Sequence, residues 1–171
     1  MQTLFDTPRL TLRMMTPEDA PFILELFNSP QWLRFLGDRH VRTLEEAGAY
    51  IRDIYLKNYA DNGFGAALVT LKDSGTPIGI CGLFQRPYLP GPDLGYSLLP
   101  AFEGNGYARE AAAGTLQYVR THQGRHTLSA IVSAANIRSV QLLQKLGFVY
   151  DKDIQPPGED RMVSLYHIAL V

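Results

Sequence analysis

A short glycine-containing stretch is the part of the sequence best suited to binding an anion. Gly104, Asn105 and Gly106 separate a predicted strand from an alanine-rich predicted helix. Backbone amides at the start of a helix have no partner within the helix, and the helix dipole is positive there. Glycine also lets this backbone approach a phosphate without an intervening side chain. The pattern therefore predicts a phosphate-binding loop, and the alternative interpretation is an ordinary glycine turn before a helix.

Two common phosphate-binding motifs do not match this loop. A Walker loop requires a lysine followed by serine or threonine after its last glycine, and no lysine is present here. A dinucleotide fingerprint requires a third glycine three residues after the second, where this chain has Arg109. These departures disfavour a nucleotide-binding enzyme of another fold.

A second polar pattern occurs at the start of a later predicted helix. Asparagine is a favoured N-cap residue, so Asn136 is expected to cap this helix, with Ser139 one turn later on the same face. The histidines show no metal-ligand spacing, and Cys81, the single cysteine, lies in an apolar predicted strand. The sequence therefore predicts neither a metal site nor an internal disulfide.

The composition is that of a globular protein without a strong electrostatic field. The 171 residues include 16 Lys and Arg against 17 Asp and Glu, a formal net charge of −1. This balance offers no attraction for a polyanion such as DNA, so nucleic acid is not an expected partner. The longest apolar runs, such as residues 64–69, are too short to span a bilayer, and the N-terminus lacks a secretory leader pattern. We expect a soluble cytoplasmic protein that does not bind a membrane.

The patterning of apolar residues predicts one mixed α/β domain over residues 1–171. Thr43 and Glu46 form a capping box at one helix start, Pro30 is expected to end the first helix, and Gly147 ends the last one. The predicted strands span residues 9–14, 64–71, 77–84, 93–100, 127–132, 148–150 and 163–170, with a polar loop at 153–160. The predicted helices span residues 17–27, 44–62, 108–119 and 136–146.

The glycine loop resembles the phosphate-binding motif of the GNAT superfamily of acyl-CoA-dependent N-acetyltransferases. That motif is Arg or Gln, two variable residues, Gly, one variable residue, then Gly or Ala. Gly104 and Gly106 match its glycines, whereas Ala101 stands at the Arg or Gln position. The leading residue of the motif is therefore a departure from the family pattern.

The resemblance extends over nearly the whole chain. The strings TPRLTLRMMTPEDA (7–20) and LGYSLLPAFEGNGYAREA (94–111) resemble the branch that includes the ribosomal-protein N-alpha-acetyltransferases. Residues 136–139 and 145–148 resemble the second cofactor motif of that branch. This resemblance implies a GNAT-like α/β (α+β) fold, with a mixed, mostly antiparallel central sheet and helices on both faces.

The resemblance implies acetyl-CoA as the cofactor and places it against the glycine loop. The amides of residues 102–108 are expected to hold the pyrophosphate, while Arg109 either pairs with a phosphate or lies in solvent. The preceding strand is expected to separate from its neighbour, which frees its backbone for the pantetheine arm and the Leu98 amide for the thioester carbonyl. The matching Asn and Ser of the family contact the arm and lie near its sulfur. The predicted cofactor-binding residues are Leu98, Leu99, Phe102, Gly104, Asn105, Gly106, Tyr107, Ala108, Arg109, Asn136 and Ser139.

The reaction implied is direct attack of a neutral amine on the acetyl thioester. Many members of the superfamily carry a tyrosine general acid seven residues after the asparagine, where this chain has Leu143. Ser139 or an ordered water is therefore the candidate proton donor. Asp93 and Glu103 lie beside the expected cleft as candidate general bases, acting through water, or are solvated carboxylates without a role in catalysis.

Recognition of the acceptor is expected from the first helical region and the proline-rich loop. Trp32, Arg34, Phe35 and Tyr88 are the candidate contacts, although Trp32 alternatively covers the edge of the core. The acceptor is a primary amine, either a protein N-terminus or a small molecule such as a polyamine, amino acid or drug. A non-catalytic acyl-CoA-binding module remains the alternative from another class, and both a monomer and a homodimer are compatible with the sequence.

Overall fold

The structure is a computed structural model that describes residues 1–170. Its strands are β1 (Thr3–Asp6), β2 (Leu10–Arg13), β3 (Ala66–Leu71), β4 (Pro77–Phe84), β5 (Asp93–Leu98), β6 (Thr127–Val132), β7 (Val149–Ile154) and β8 (Val163–Ala169). Its α-helices are α1 (Ala20–Phe27), α2 (Pro30–Phe35), α3 (Leu44–Tyr50), α4 (Lys57–Asn62), α5 (Tyr107–Gln123) and α6 (Ile137–Leu146). A π-helical segment, Ile51–Leu56, joins α3 to α4. Within this part of the chain, no helix is both long and apolar enough to cross a membrane.

The strands form one sheet in the order β1-β2-β3-β4-β5-β6-β8-β7. Every neighbouring pair is antiparallel except β5 and β6, which are parallel. Alternate residues of a strand point to opposite faces, so Leu68 packs against the cluster formed with α1 and α3, whereas Val69 joins the cluster under α5. The predicted mixed, mostly antiparallel sheet with helices on both faces is confirmed.

Several local signals act as the sequence predicts. The Thr43 side chain accepts a hydrogen bond from the Glu46 amide, and the Glu46 carboxylate accepts one from the Thr43 amide. Gly147 ends α6 in the left-handed conformation, with φ of 100°. A hairpin turn after Leu71 joins β3 to β4, the strands predicted at 64–71 and 77–84. These features depend on residues close together in the chain, which is why the sequence alone predicts them.

Three elements differ from the prediction. Pro30 begins α2 instead of only ending the first helix, because proline fits the first helical turn, where no backbone donor is needed. The short strand β1 was not predicted, since its four residues carry no clear alternation. The last loop was predicted to begin at Asp153, but β7 continues to Ile154. The β7 residues are almost all exposed, so no apolar face marks this edge strand.

Candidate active site

A cleft opens in the middle of the sheet between β5 and β6. The two strands pair only at Asp93 and Ser129, and they diverge from that point towards their C-terminal ends. A cavity of about 500 Å³ occupies the opening, lined by residues 93–98 on one side and 130–133 on the other. The expected separation of the strand before the glycine loop is therefore present.

One edge of β5 faces this cavity with free backbone groups. The Leu99 amide donates to the Ile78 carbonyl of β4 at 2.8 Å, and Leu98 is the residue opposite Gly79. Backbone groups of successive strand residues point to opposite sides, so the amides of Tyr96 and Leu98 point away from β4 and into the opening. An extended ligand arm can pair with these groups as an additional strand would. This geometry supports the predicted role of the Leu98 amide.

The glycine loop forms the end of the cavity where α5 begins. Gly104 and Gly106 have φ of 77° and 80°, in the left-handed region that favours glycine. Gly106 is the N-cap residue of α5 and, being a glycine, has no side chain with which to cap this helix start. The first amides of α5, from Tyr107 onward, therefore remain available beside the cavity, as an anion site requires.

An ion pair that sequence reasoning missed braces this loop from the β1–β2 turn. The guanidinium of Arg9 donates to Glu110 of α5 at 2.7 Å and to the Asn105 carbonyl at 2.9 Å. Thr7 donates to the same Glu110 carboxylate at 2.6 Å, and the Arg9 guanidinium lies 4.5 Å from the centre of the Tyr107 ring. The one indication in the sequence is that Arg9 and Glu110 lie in two strings that both resemble the same family. Nothing in either string shows that the two touch.

The brace gives the first testable prediction, that Glu110→Gln weakens acetyl-CoA binding about tenfold, or about 1.4 kcal/mol. Burial raises the pKa of Glu110, but the hydrogen bonds from Thr7 and Arg9 more than offset this and leave the pKa below its ordinary value of 4.5. At a pH above that ordinary value the carboxylate is charged and braces the loop. Its contribution to holding the loop in place is lost as the pH falls through the lowered pKa. Titration calorimetry measures the affinity, with exposed Glu45→Gln on α3 as the control. Equal affinities for the Glu110 variant and wild type would contradict a role for the brace.

The cavity contacts most, but not all, of the predicted cofactor-binding residues. It reaches Leu98, Gly104, Gly106, Tyr107, Ala108, Arg109, Asn136 and Ser139. The side chains of Leu99 and Phe102 pack into the core instead, and Asn105 hydrogen-bonds within the loop and to Arg9. The roles of the residues that line the cavity remain predictions.

The start of α6 lies across the cavity from β5. Asn136 caps this helix as predicted, because its side-chain oxygen accepts a hydrogen bond from the Ser139 amide at 3.3 Å. The Ser139 hydroxyl lies 2.9 Å from the Tyr96 hydroxyl of β5. Leu143, at the position where many superfamily members carry a tyrosine, is 1% exposed and packs in the core.

The two predicted carboxylates lie at different ends of the cavity. Asp93 is 1% exposed at the point where β5 meets β6, and its oxygens lie 3.1 and 3.0 Å from the Arg86 Nε. Burial raises the pKa of Asp93, and the neighbouring Arg86 guanidinium offsets only part of this effect. Glu103 lies beside the glycine loop and pairs with Arg138 of α6 at 3.3 Å. Of the two, Asp93 is the more buried, since the Glu103 side chain is 22% exposed.

A second cavity, of about 310 Å³, lies beside the first and is lined largely by residues of the π-helical segment, α4, β4 and β5, together with Trp32 of α2. Arg39, Arg86 and residues 95–97 line both cavities, so the two meet along β5. This arrangement leaves two spaces in which two ligands could meet along β5. Sequence reasoning missed Arg39, which lies in the irregular segment between α2 and α3.

The four predicted acceptor contacts are distributed unevenly around these cavities. Trp32 is 4% exposed, stacks on Phe27 at 4.5 Å and lines the second cavity. Phe35 lines the first cavity. Arg34 lies over the Phe35 ring in an exposed position, and the half-buried Tyr88 lies in the proline-rich loop, so neither lines either cavity. Trp32 therefore combines its alternative role as a core residue with a position at the cavity wall.

Comparison with known proteins identifies the family. The model of the acetyltransferase (GNAT) domain matches residues 9–149, so this chain belongs to the GNAT acetyltransferase family. An uncharacterized N-acetyltransferase, p20 of Bacillus licheniformis, is 28% identical over 178 residues that cover all of this chain and 97% of p20. The acetyltransferase structure from Agrobacterium tumefaciens strain C58 superposes with a TM-score of 0.81 at 28% identity, covering 98% of this chain and 94% of that one.

More distant structures share the same fold. A ribosomal-protein-S5-alanine acetyltransferase from Vibrio fischeri has a TM-score of 0.81 at 20% identity, covering 99% of this chain and 97% of that one. A spermidine N-acetyltransferase from Vibrio cholerae, in complex with CoA and spermine, has a TM-score of 0.78 at 22% identity, covering 96% and 97%. Two acceptor classes thus occur on this fold. The protein is an acetyl-CoA-dependent N-acetyltransferase, and the acceptor must be argued from its own residues.

Proposed function

We propose that this enzyme acetylates the N-terminal α-amino group of a protein or peptide, by direct attack of the amine on acetyl-CoA in a ternary complex. The observation that carries the proposal is the junction of the two cavities along residues 95–97. A thioester held by β5 and the glycine loop reaches this junction from one side, and an amine in the second cavity reaches it from the other. No covalent enzyme intermediate is needed for this transfer.

The chemistry needs a neutral amine, a donor to the carbonyl oxygen and stabilisation of the leaving sulfur. An α-amino group has a pKa of about 8 and a lysine side chain one of about 10.4, so an N-terminal acceptor makes the smaller demand on a base. Asp93 accepts the amine proton through water, and the Leu98 amide donates to the oxyanion of the tetrahedral intermediate. The carbon–sulfur bond then breaks with its electron pair on sulfur, beside Ser139. The thiolate finally takes up a proton, which balances the one released by the amine.

The charges that line the acceptor cavity provide no net negative charge to attract a polyamine. Arg39 lines both cavities, and within residues 1–170 it has no carboxylate partner. The charge of Arg86 is matched by Asp93, and that of Lys57 by Asp61. The remaining charged residues of the second cavity, Arg39 and Asp53, are opposite in sign, so its lining carries no net negative charge. A polyamine brings several positive charges that this lining does not match, whereas a peptide brings a single amine that becomes neutral before attack.

The experiment is an assay of thiol release from acetyl-CoA with peptides of varied N-termini, spermidine and a set of small amines. We expect release with peptides, lost when the N-terminal amine is blocked and retained when only lysine side chains are blocked. Release with spermidine or small amines alone would overturn the proposed acceptor. Calorimetric binding of acetyl-CoA without release from any amine in the panel would favour a non-catalytic acyl-CoA-binding module instead.

A further inference from the structure

The leaving sulfur needs a hydrogen-bond donor. Many members of the superfamily supply it from a tyrosine on the helix that corresponds to α6, and this chain has Leu143 at that position. Leu143 is apolar and buried, so it donates nothing to a ligand. Ser139 is the hydroxyl of α6 that lines the cofactor cavity. A serine side chain, however, occupies three staggered rotamers and its hydroxyl hydrogen rotates freely. Without a further contact, the Ser139 proton has no preferred direction.

The contact is supplied by Tyr96 from the separated strand β5. Its hydroxyl lies 2.9 Å from the Ser139 Oγ and 3.2 Å from the Ser139 carbonyl oxygen. Tyr96 lines both cavities, so this hydrogen bond lies at their junction. The two residues are 43 positions apart in the chain and are brought together only by the packing of α6 over the opening.

The hydroxyl hydrogens of Tyr96 and Ser139 can be arranged in two ways that keep the hydrogen bond between the two side chains. A carbonyl oxygen only accepts, whereas each hydroxyl donates one hydrogen and accepts others. In the first arrangement Tyr96 donates to the carbonyl and Ser139 donates to Tyr96, so no hydrogen faces the cavity. In the second, Tyr96 donates to the Ser139 Oγ, and the Ser139 hydrogen is then free to point into the cavity. A sulfur that develops negative charge beside Ser139 favours the second arrangement.

We propose that Tyr96 is a positioning residue that directs the Ser139 hydroxyl towards the departing sulfur of coenzyme A, and so replaces the tyrosine missing from position 143. This inference rests on the proposed transfer reaction. The carbon–sulfur electron pair goes to sulfur, Ser139 stabilises it through a hydrogen bond, and both hydroxyls keep their own protons. Burial raises the pKa of Tyr96, and its hydrogen bond with Ser139 offsets only part of this effect. The phenol therefore stays protonated at neutral pH, as a hydrogen-bond donor must.

The test is a double-mutant cycle of Tyr96→Phe and Ser139→Ala, with acetyl-CoA and the best peptide of the panel. Phenylalanine keeps the ring that packs against the core and removes only the hydroxyl. We expect each single variant to lower kcat about tenfold, with the KM and Kd for acetyl-CoA unchanged, because the contact strengthens only as charge develops on sulfur. We expect the double variant to be no slower than Ser139→Ala alone, since the tyrosine acts through the serine.

Tyr118→Phe is the matched control, because Tyr118 lies on α5 outside both cavities and stacks on Phe5. Its kinetics should equal those of wild type. Independent, multiplicative losses in the double variant would overturn the positioning role, as would a wild-type kcat for Tyr96→Phe. If Tyr96→Phe weakens the binding of acetyl-CoA but leaves kcat unchanged, Tyr96 is only a binding contact and the inference is overturned as well. If the wild-type enzyme does not release thiol with any amine of the panel, the proposed function is wrong, and this inference is overturned with it.

Discussion

A Gly106→Val variant is expected to fold normally and to bind acetyl-CoA at least 100-fold more weakly than wild type. Gly106 has φ of 80°, and a Cβ at this position would lie 3.3 Å from Nη2 of Arg9. A β-branched residue in the left-handed region costs about 1–3 kcal/mol, so the loop is expected to change conformation and withdraw its amides from the cavity. Because a domain of this size is stable by about 5–15 kcal/mol, the fold tolerates this cost.

Gly124→Val provides a matched control for the same backbone strain. Gly124 follows the other end of α5 with φ of 61°, and a Cβ there meets nothing within 4 Å. We expect the two variants to lose similar amounts of thermal stability, and only Gly106→Val to lose acetyl-CoA binding in titration calorimetry. If Gly106→Val binds as tightly as wild type, the glycine loop is not the phosphate site.

An Asp93→Asn variant is expected to lower kcat/KM about 100-fold and to reduce the free energy of unfolding by about 3 kcal/mol. The first effect follows because an amide cannot accept the amine proton, and general-base catalysis contributes about 10²–10⁴-fold. The second follows because Arg86 loses its partner, and breaking a buried ion pair costs about 3–5 kcal/mol. We place the loss of stability at the lower end of that range, because the Arg86 side chain is 29% exposed to water.

Arg86→Gln separates the two effects, because it breaks the same ion pair and leaves the carboxylate in place. We expect comparable destabilisation, measured by denaturant unfolding, with kcat/KM largely retained. The Arg86 guanidinium lowers the pKa of Asp93, so its removal should raise that pKa further. The acidic limb of the pH–kcat/KM profile, where activity rises as Asp93 loses its proton, should therefore move to higher pH in Arg86→Gln. Wild-type kcat/KM in Asp93→Asn would show that Asp93 serves only the fold.

The parts of the site that the sequence predicts are those formed by neighbouring residues. Glycines directly before a helix leave its first amides without a capping side chain, so the loop at Gly104 and Gly106 could be predicted as a candidate anion site from neighbouring residues alone. The Asn136 cap is local in the same way, because its partner is the Ser139 amide three residues later. The family resemblance added the separation of β5 from β6, which periodicity alone does not predict.

Features that depend on distant residues could not be predicted. Arg9 and Glu110 are 101 positions apart, and their types are equally compatible with exposed, unpaired side chains. The same holds for Arg86 with Asp93, because the sequence does not show that the carboxylate is buried against a guanidinium. Of the predicted acceptor contacts, Arg34 and Tyr88 lie outside the linings of the two cavities, and the acceptor roles of all four residues stay predictions.

By itself, the sequence determined the helix caps at Thr43, Asn136 and Gly147, the free amides at the start of α5 and the family that the motifs resemble. Each of these follows from backbone geometry over a few residues. The tertiary structure decided which side chains meet across the cleft, above all Tyr96 with Ser139 and Arg39 at the junction of the two cavities. Contacts of this kind depend on strand order and on how α6 packs over the opening between β5 and β6, and packing is a property of the whole fold that no local pattern records.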